Sequence, residues 1–454
     1  MADGEGRPLA TEEAGESTQL IGPWARRLLI PFASLQNREF RLLWLGQLGQ
    51  GSAMRAEQVA QSWLTWQLSS SATAIGLVFL FRAIPLMTLG LLGGVIADRF
   101  DKRKVLIVIQ IWSLSIYVAM AVLLLGGWIR LWHVYLSAFL LGSGMAMNQP
   151  VRTSFIPQLL EGRLLVNALS LNSIAINVAR LVVPAAIGFL IDAAGGNVGP
   201  AYVVASALFV MVLLSTMMIR VSSQPPLGDR GASIGRGLIE GFRYMLLENR
   251  TVLALIVLAM GPLAFAFSYI VLLPVFVTEV LHMGPSTFGL LQSIGAVGGL
   301  AGGFTLASVG KVPHKGKVLL LTGLTYGFMV MLMGGSPVLL GRLPALLGRL
   351  PALLGGLPVL IFAFGAIAIL VASASQTIFR AANNSTLLEI TPRRLQGRVV
   401  GLTFLDMGAQ SLAAVLAGRV TDIWNVSVGF AVIGAICVAI VALIGLGAPA
   451  VRRL

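Results

Sequence analysis

Six ionisable side chains fall inside or beside long apolar stretches of the sequence. They are Arg55, Glu57, Arg82, Arg180, Arg380 and Asp406. A charge facing lipid costs a few kcal/mol, so each is expected to pair or to face a water-filled cavity. Glu57 and Asp406 are therefore candidates for carrying protons. The alternative is that they are fixed partners of the arginines. Asp192 and Asp422 lie nearer the outer ends of apolar stretches, where they can reach lipid headgroups.

A polar stripe follows the first apolar stretch, with its members spaced three or four residues apart. It consists of Gln47, Gln50, Met54, Gln58, Gln61 and Thr65. Residues at this spacing share one face of a helix, and the stripe is about 27 Å long at about 1.5 Å per residue. Amides facing lipid are unfavourable, so the stripe either lines a cavity or hydrogen-bonds to neighbouring helices. We predict a cavity wall that forms the substrate path together with Arg82 and Arg180.

Two amide clusters lie at corresponding places in the two halves of the chain. Asn148-Gln149-Pro150 ends the fourth apolar stretch, and Asn383-Asn384 follows the tenth. Both are predicted near the inner membrane surface, where they extend the substrate path and form an inner gate. The alternative is ordinary helix termination.

Glycines recur at four-residue spacing in the eighth apolar stretch. They are Gly295, Gly299 and Gly303, with Gly298 and Gly302 beside them. Small residues at this spacing let another membrane helix approach closely. This pattern indicates a packing surface rather than a ligand site.

The composition is that of an integral membrane protein. The chain has 454 residues, of which 57% are hydrophobic and 11% charged, and its net charge is +14. The basic residues lie in short segments between apolar stretches, which indicates membrane topology rather than nucleic-acid binding. Neither a phosphate-binding loop nor a zinc or serine-hydrolase motif is present, so no enzyme, cofactor or metal is expected. Cys437 is the single cysteine.

Twelve apolar stretches predict an all-α protein with twelve transmembrane helices in two pseudo-symmetric six-helix bundles. They cover about 41–67, 73–97, 104–126, 132–151, 166–191, 200–220, 252–278, 286–308, 317–336, 357–378, 398–421 and 427–447. Basic residues concentrate in alternate loops, which predicts that both termini are cytoplasmic.

The predicted organisation has five parts. They are a cytoplasmic N-terminal segment (1–35), a first half (36–221), a cytoplasmic linker with an interfacial helix (222–250), a second half (251–448) and a cytoplasmic tail (449–454). Within the second half, 339–359 repeats Leu-Leu-Gly-Arg-Leu-Pro-Ala. This outer-loop repeat is interpreted as a tolerated duplication, and the alternative is an outer lid.

The loop after the second stretch joins a Gly-x-x-x-Asp-Arg frame to a basic cluster. Residues 94–104 read Gly-x-x-x-Asp-Arg-x-x-Lys-Arg-Lys. This pattern resembles the signature loop of the major facilitator superfamily, which latches the two transporter halves on the cytoplasmic side. The resemblance assigns Gly94, Asp98, Arg99, Lys102 and Arg103 to that gating motif. The alternative is a plain basic anchor without a gating role.

Further motifs narrow the resemblance to the enterobactin-exporter-like branch of that superfamily. They are Gly142-Ser-Gly-Met-Ala-Met-Asn-Gln-Pro, Asn167-Ala-Leu-Ser-Leu-Asn-Ser, Ala179-Arg-Leu-Val-Val-Pro-Ala-Ala-Ile-Gly and Gln396-Gly-Arg-Val-Val-Gly-Leu. The resemblance implies a bacterial inner-membrane exporter of small amphipathic, drug-like or siderophore-like molecules, driven by a proton gradient. It also places Pro184 and Gly188 in the antiporter-type motif, where they pack helices. Asp101 and Val183 stand where the family patterns usually have glycine.

The function expected from the sequence is therefore secondary active export by a monomer embedded in the lipid bilayer. An importer of a small organic solute is the alternative within the same class. A non-transporting membrane sensor or scaffold is the alternative from another class, although no large soluble output domain accompanies the apolar stretches.

Overall fold

The computed structural model of the chain describes residues 30–160, 162–221, 249–310, 314–341, 357–393 and 405–454, with positions 243, 245, 395 and 396. Every regular element within these ranges is helical. The N-terminal segment before residue 30, most of the predicted linker 222–250 and the centre of the outer-loop repeat (342–356) lie outside the described residues.

The first half of the chain forms long helices joined by short turns, after a 3-10 helix at Ile30–Gln36. They are α1 (Arg38–Ser69), α2 (Ala72–Arg99), α3 (Lys102–Leu125), α4 (Leu131–Leu159), α5 (Arg163–Ala193) and α6 (Gly199–Met217). Side chains that cap the first turn fix two of the starts. Asn37 accepts hydrogen bonds from backbone N–H groups of α1, and Asp101 does so for α3. Such caps satisfy donors that the helix itself leaves free.

The second half repeats this pattern with one irregular member. Its helices are α7 (Arg250–Val280), α8 (Pro285–Val309), α9 (Lys315–Gly341), α10 (Leu357–Ile390), α11 (Leu405–Ile423), α12 (Val426–Gly447) and the short α13 (Pro449–Arg452). α7 contains π-helical turns at Met260–Phe265 and Phe276–Val280 and a 3-10 turn between them. Pro262 and Pro274 lie in α7 and lack the N–H that a regular helix needs.

Nine helices in the described ranges are long and apolar enough to cross a membrane, namely α2, α3, α5 to α10 and α12. The remaining long helices, α1, α4 and α11, are not among them, and α1 carries the polar stripe. Exposed apolar side chains on several helices provide a lipid-facing surface; Val108, Leu321 and Leu443 are each more than 60% exposed. Twelve membrane spans remain a prediction.

Two helices continue past the ends predicted from the sequence. α4 runs to Leu159 instead of ending near residue 151, and α10 runs to Ile390 instead of ending near residue 378. Asn148, Asn383 and Asn384 therefore lie within helices, and the interpretation of these amides as helix termini is wrong. Polar residues do not stop a helix whose backbone stays hydrogen-bonded, and proline is tolerated inside membrane helices.

Helices pack extensively within each half, and two helix pairs form the main contacts between the halves. In the first half α1 packs against α5 and α6, and α2 against α4; in the second half α9 packs against α10 and α12, and α8 against α10. The halves meet where α5 packs against α8 and where α2 packs against α11. These two contacts are related by exchange of the halves, because the fifth helix of each half touches the second helix of the other.

Candidate functional site

A buried ion pair joins α1 to α2. Glu57 accepts a hydrogen bond from Arg82, and their side chains are 2% and 15% exposed. Arg82 also donates to Gln61 Oε1 at 2.6 Å. Gln61 in turn donates to Ser137 Oγ at 3.2 Å and to the Val134 carbonyl at 3.4 Å, both on α4. This chain of polar contacts connects three helices and compensates both charges.

A small cavity of about 30 Å³ lies beside this pair, inside the first half of the chain. Gln50, Glu57, Arg82 and Asn148 form part of its wall. Gln50 Nε2 donates to Asn148 Oδ1 at 2.9 Å, while Gln50 Oε1 is buried without a hydrogen-bond partner. The rest of the wall is largely apolar and includes Met54, Ile109, Tyr117, Leu141 and Phe209. The cavity therefore combines apolar walls with a few fixed polar groups.

Residues of the predicted polar stripe on α1 have different surroundings in the structure. Gln50 lines the cavity, whereas Gln61 and Thr65 are buried at 2% and 0% exposure in contacts between helices. Gln47 is also buried, at 8% exposure. Gln58 is partly exposed and its Oε1 accepts a hydrogen bond from Arg55 at 2.8 Å. Hydrogen bonding between helices, the alternative to a cavity wall, therefore accounts for Gln61, whose partners are Arg82 on α2 and Val134 and Ser137 on α4.

A second group of charges combines residues from both halves of the chain. Arg180 on α5 and Arg380 on α10 have exposed side chains, and Asp406 on α11 is partly exposed. The charges of Arg180 and Asp406 both interact with Arg380. Asp406 Oδ1 accepts no hydrogen bond within the described part of the chain. The predicted proton carriers Glu57 and Asp406 thus belong to separate groups.

Contacts of Asp422 and Asp192 close one end of the interface between the halves, here called the aspartate end. Asp422, on α11, accepts hydrogen bonds from Ser71 Oγ at 2.6 Å and from the backbone N–H groups of Ala72 and Thr73 at 2.7 and 3.0 Å. Asp192, on α5, accepts one from the Ser286 N–H at 3.0 Å. Each aspartate therefore binds the start of the second helix of the other half instead of turning only to lipid headgroups.

Close backbone approach accompanies these bonds at the α5–α8 contact. A methyl group added at Gly188 would overlap the Pro285 carbonyl, and one added at Gly289 would overlap the Pro184 carbonyl. The Ala185 N–H also donates to Ser293 Oγ at 3.2 Å. Pro184 and Gly188, which the sequence marks as packing residues, thus lie at the contact between the halves.

The glycine face of α8 packs against α10. Gly298 and Gly302 come closest, because an added methyl group would overlap the carbonyls of Leu370 and Ala374. The three predicted glycines face side chains of α10 at longer distances: an added methyl at Gly295 would lie 3.1 Å from Ile369, at Gly299 3.2 Å from Thr377 and at Gly303 3.9 Å from Thr377. The tightest contact is therefore one residue away from the predicted register.

Only part of the predicted latch lies within the residues that the structure describes. Helix α2 includes Gly94, Asp98 and Arg99, but the side chains of residues 91–99 lie outside the described residues. Lys102 is buried at 2% exposure, and Arg103 donates to the Met217 carbonyl at the end of α6 at 2.6 Å. Of the predicted inner-gate amides in the second half, Asn383 is 1% exposed with an unbonded Oδ1, and Asn384 is exposed.

Comparisons with known proteins agree on the class of molecule. The sequence pattern of a family described as "transmembrane secretion effector" matches residues 29–452. The staphyloferrin A transporter of Staphylococcus aureus is 25% identical over 63% of this chain and 69% of its own. The multidrug efflux pump Tap of Mycolicibacterium fortuitum is 23% identical over 84% of this chain and 88% of its own. The nucleoside transporter NupG shares the fold, with a TM-score of 0.68 at 12% identity over 91% of this chain and 99% of its own.

Proposed function

Because the chain belongs to the transmembrane secretion effector family of the major facilitator superfamily, it is a multi-pass membrane transporter and not an enzyme, and we propose that it exports small amphipathic molecules by alternating access. The names of the similar transporters, one for a siderophore and one for multiple drugs, support siderophore-like or drug-like cargo. The sequence motifs favour the enterobactin-exporter-like branch. In this proposal twelve helices form two six-helix bundles in the bacterial inner membrane, with both termini in the cytoplasm.

The observation that carries the proposal is the reciprocal closure of the aspartate end. Two contacts related by exchange of the halves, Asp422 with the start of α2 and Asp192 with the start of α8, hold the bundles together there. We assign the aspartate end to the outer face, because the turns beside it carry few basic residues. Opening toward the outside then requires both sets of hydrogen bonds to break.

The opposite end supplies the second gate in this proposal. Gly94, Asp98, Arg99, Lys102 and Arg103 form the latch that closes it when the aspartate end opens. Asn148, Asn383 and Asn384 contribute to the inner gate and, with Gln47, Gln50, Gln58, Gln61, Arg82 and Arg180, to the substrate path. Asp406 carries the coupling proton, because it is partly exposed and lies outside the Glu57–Arg82 pair.

Reversible cross-linking of the aspartate end tests this proposal in vesicles. Cys437 is replaced by Ala, and cysteines are placed at Ser71 and Asp422, whose side chains are 2.6 Å apart. A short bifunctional thiol reagent should stop efflux of a fluorescent drug from vesicles with an imposed pH gradient, and cleaving the linker should restore it. The single-cysteine variants treated in the same way serve as controls.

Other outcomes of this experiment would contradict the proposal. Undiminished efflux from fully cross-linked protein would show that the aspartate end does not open during transport, and alternating access at this interface would be wrong. Uptake instead of efflux under the same gradient would favour the importer. Lack of flux in either direction, from folded protein with several probes, would favour a sensor or scaffold.

A further inference from the structure

Three arginines on three helices converge near the place where the halves of the chain meet. Arg55 is on α1, Arg180 on α5 and Arg380 on α10. α1 touches α5 at Gly51, where an added methyl group would lie 3.5 Å from Ala179 Cβ. Arg55 lies one turn beyond Gly51, and Arg180 directly follows Ala179. The two guanidinium groups therefore start from neighbouring turns of packed helices.

Arg180 lies next to the contact between the halves. Pro184, one turn further along α5, closely approaches Gly289 of α8. α8 in turn packs against α10, the helix that carries Arg380. The charge of Arg180 interacts with that of Arg55 in the first half and with that of Arg380 in the second. The three charges are therefore near one another, and Arg180 interacts with both of the others.

This arginine cluster, Arg55, Arg180 and Arg380, is only partly compensated. Arg55 donates to the neutral amide of Gln58 at 2.8 Å. Within the described ranges, Arg180 and Arg380 form neither a hydrogen bond nor an ion pair, and both side chains are exposed. Asp406 attracts Arg380 from beyond ion-pair distance. Three positive charges thus face a single negative one.

Neighbouring groups do not remove this excess. Arg82 also interacts with Arg55, but Arg82 is already paired with Glu57. Tyr269 interacts with Arg180 and is an uncharged phenol. Like charges repel strongly where the dielectric constant is low, and a charge inside a membrane needs a partner. The region around these three arginines is therefore suited to an anion.

We propose that the arginine cluster binds an anionic group of the transported molecule, so that the cargo is an amphipathic organic anion. A carboxylate, or another group with anionic oxygens, matches the planar fork of a guanidinium through two parallel hydrogen bonds. A cationic molecule would instead add to the uncompensated positive charge. This inference rests on the export function proposed above and adds to it the charge of the cargo.

Equilibrium binding to the full-length protein in phosphatidylcholine nanodiscs tests the charge directly. Three probes share one fluorophore: N-dansylglycine is an anion, its methyl ester is neutral, and N-dansylethylenediamine is a cation. The anion should bind at least about tenfold more tightly than the ester, because hydrogen bonds to charged groups are worth about 1.5–3 kcal/mol each. Equal affinities, or tighter binding of the cation, would overturn the proposal.

Substitutions test whether the anionic probe binds at the arginine cluster. Arg180→Gln and Arg380→Gln should each weaken binding of the anion about tenfold and leave that of the ester unchanged. Arg180→Lys should restore part of the loss, since it keeps the charge. Arg419→Gln is the matched control, because Arg419 is an exposed arginine of α11 outside the cluster. Unchanged anion binding in both glutamine variants, with melting temperatures like the wild type, would contradict the assignment.

Anionic lipid headgroups carry the same oxygen chemistry and form a second possible source of the anion. Replacing part of the phosphatidylcholine with phosphatidylglycerol should leave binding of N-dansylglycine unchanged if the cluster is a cargo site. Competition by phosphatidylglycerol would assign the cluster to lipid and overturn the proposal.

Flux of the three probes from vesicles separates this inference from the export function. Export of the anion alone would support both. Export of the ester or the cation without the anion would keep the exporter and remove the anionic cargo. Tight, arginine-dependent binding of the anion without flux of any probe would keep the anion site and contradict the exporter.

Discussion

Each half of the chain contributes one of the two acids predicted to carry protons, and these two acids have different surroundings. Glu57 on α1 is 2% exposed and forms an ion pair with Arg82. Asp406 on α11 is partly exposed, and its Oδ1 accepts no hydrogen bond from the described residues. Among the described residues, Asp406 forms no ion pair, although its charge interacts with that of Arg380.

This difference indicates different roles for the two acids. Protonating Glu57 would leave Arg82 as a buried cation without its counterion, which is strongly unfavourable. Protonating Asp406 breaks no ion pair and costs correspondingly less. The first half therefore uses its acid to hold helices together, and the second half keeps its acid available for proton transfer. Three predictions test this contrast, from the largest expected effect to the smallest.

The largest effect is expected from Arg82→Gln. This change leaves Glu57 buried without its partner, and breaking a buried pair costs about 3–5 kcal/mol. The variant should show a clearly lower melting temperature in detergent and a lower yield of folded protein. Thermal unfolding followed by tryptophan fluorescence measures the effect.

A double variant separates loss of the pair from loss of either residue alone. Glu57→Gln with Arg82→Gln removes both charges and should be more stable than Arg82→Gln alone, because it leaves no unpaired buried charge. If Arg82→Gln were as stable as the wild type, the pair would not be structural and the contrast between the acids would fail.

An effect on coupling rather than stability is expected from Asp406→Asn. Asparagine has a similar size but does not bind a proton at physiological pH, so efflux should no longer respond to an imposed pH gradient. Wild-type efflux should rise when the outside is made acidic, because protons then enter down their gradient. Stability should change by less than about 0.5 kcal/mol, since no ion pair is lost.

The corresponding change in the other half is the control. Glu57→Gln should lower stability while the remaining efflux keeps its response to the pH gradient. The opposite pattern, with coupling lost in Glu57→Gln and kept in Asp406→Asn, would reverse the assignment of the two acids.

The sequence predicts the helices well and their polar contacts only in part. Predicted spans 73–97 and 427–447 correspond to Ala72–Arg99 and Val426–Gly447, because a backbone in lipid must form hydrogen bonds within the helix. The sequence places the ends of α4 and α10 several residues before their observed ends. Asparagine and proline near the end of an apolar stretch resemble the start of a loop.

Contacts between distant segments account for what the sequence does not predict. Pairing of Glu57 with Arg82 was one of two alternatives, because their types suggest a pair but not its geometry. Ser137 lies inside an apolar stretch, and nothing in the sequence marks it as a hydrogen-bond partner. In the structure it accepts a hydrogen bond from Gln61. The contact of Asp422 with Ser71 joins residues 351 positions apart, so no local pattern indicates it.

The smallest effect concerns the water access of two amides on α1. Gln61 is 2% exposed and donates to α4, whereas Gln58 is partly exposed and accepts a hydrogen bond from Arg55. Cysteine at position 58, in protein with Cys437→Ala, should therefore react with a small polar thiol reagent faster than cysteine at position 61. Reaction rates measured in membranes, with a cysteine at Val59 as the buried control, test this order.

The labelling rates also bear on the two acids, because Gln61 and Glu57 share Arg82 as a hydrogen-bond partner. If position 61 reacts slowly, water does not reach the ion pair freely, and Glu57 is protected from proton exchange. If positions 58 and 61 react equally fast, the whole stripe is a cavity wall, as the sequence alone predicts. Glu57 would then be as accessible to protons as Asp406, and burial would no longer distinguish the acids of the two halves.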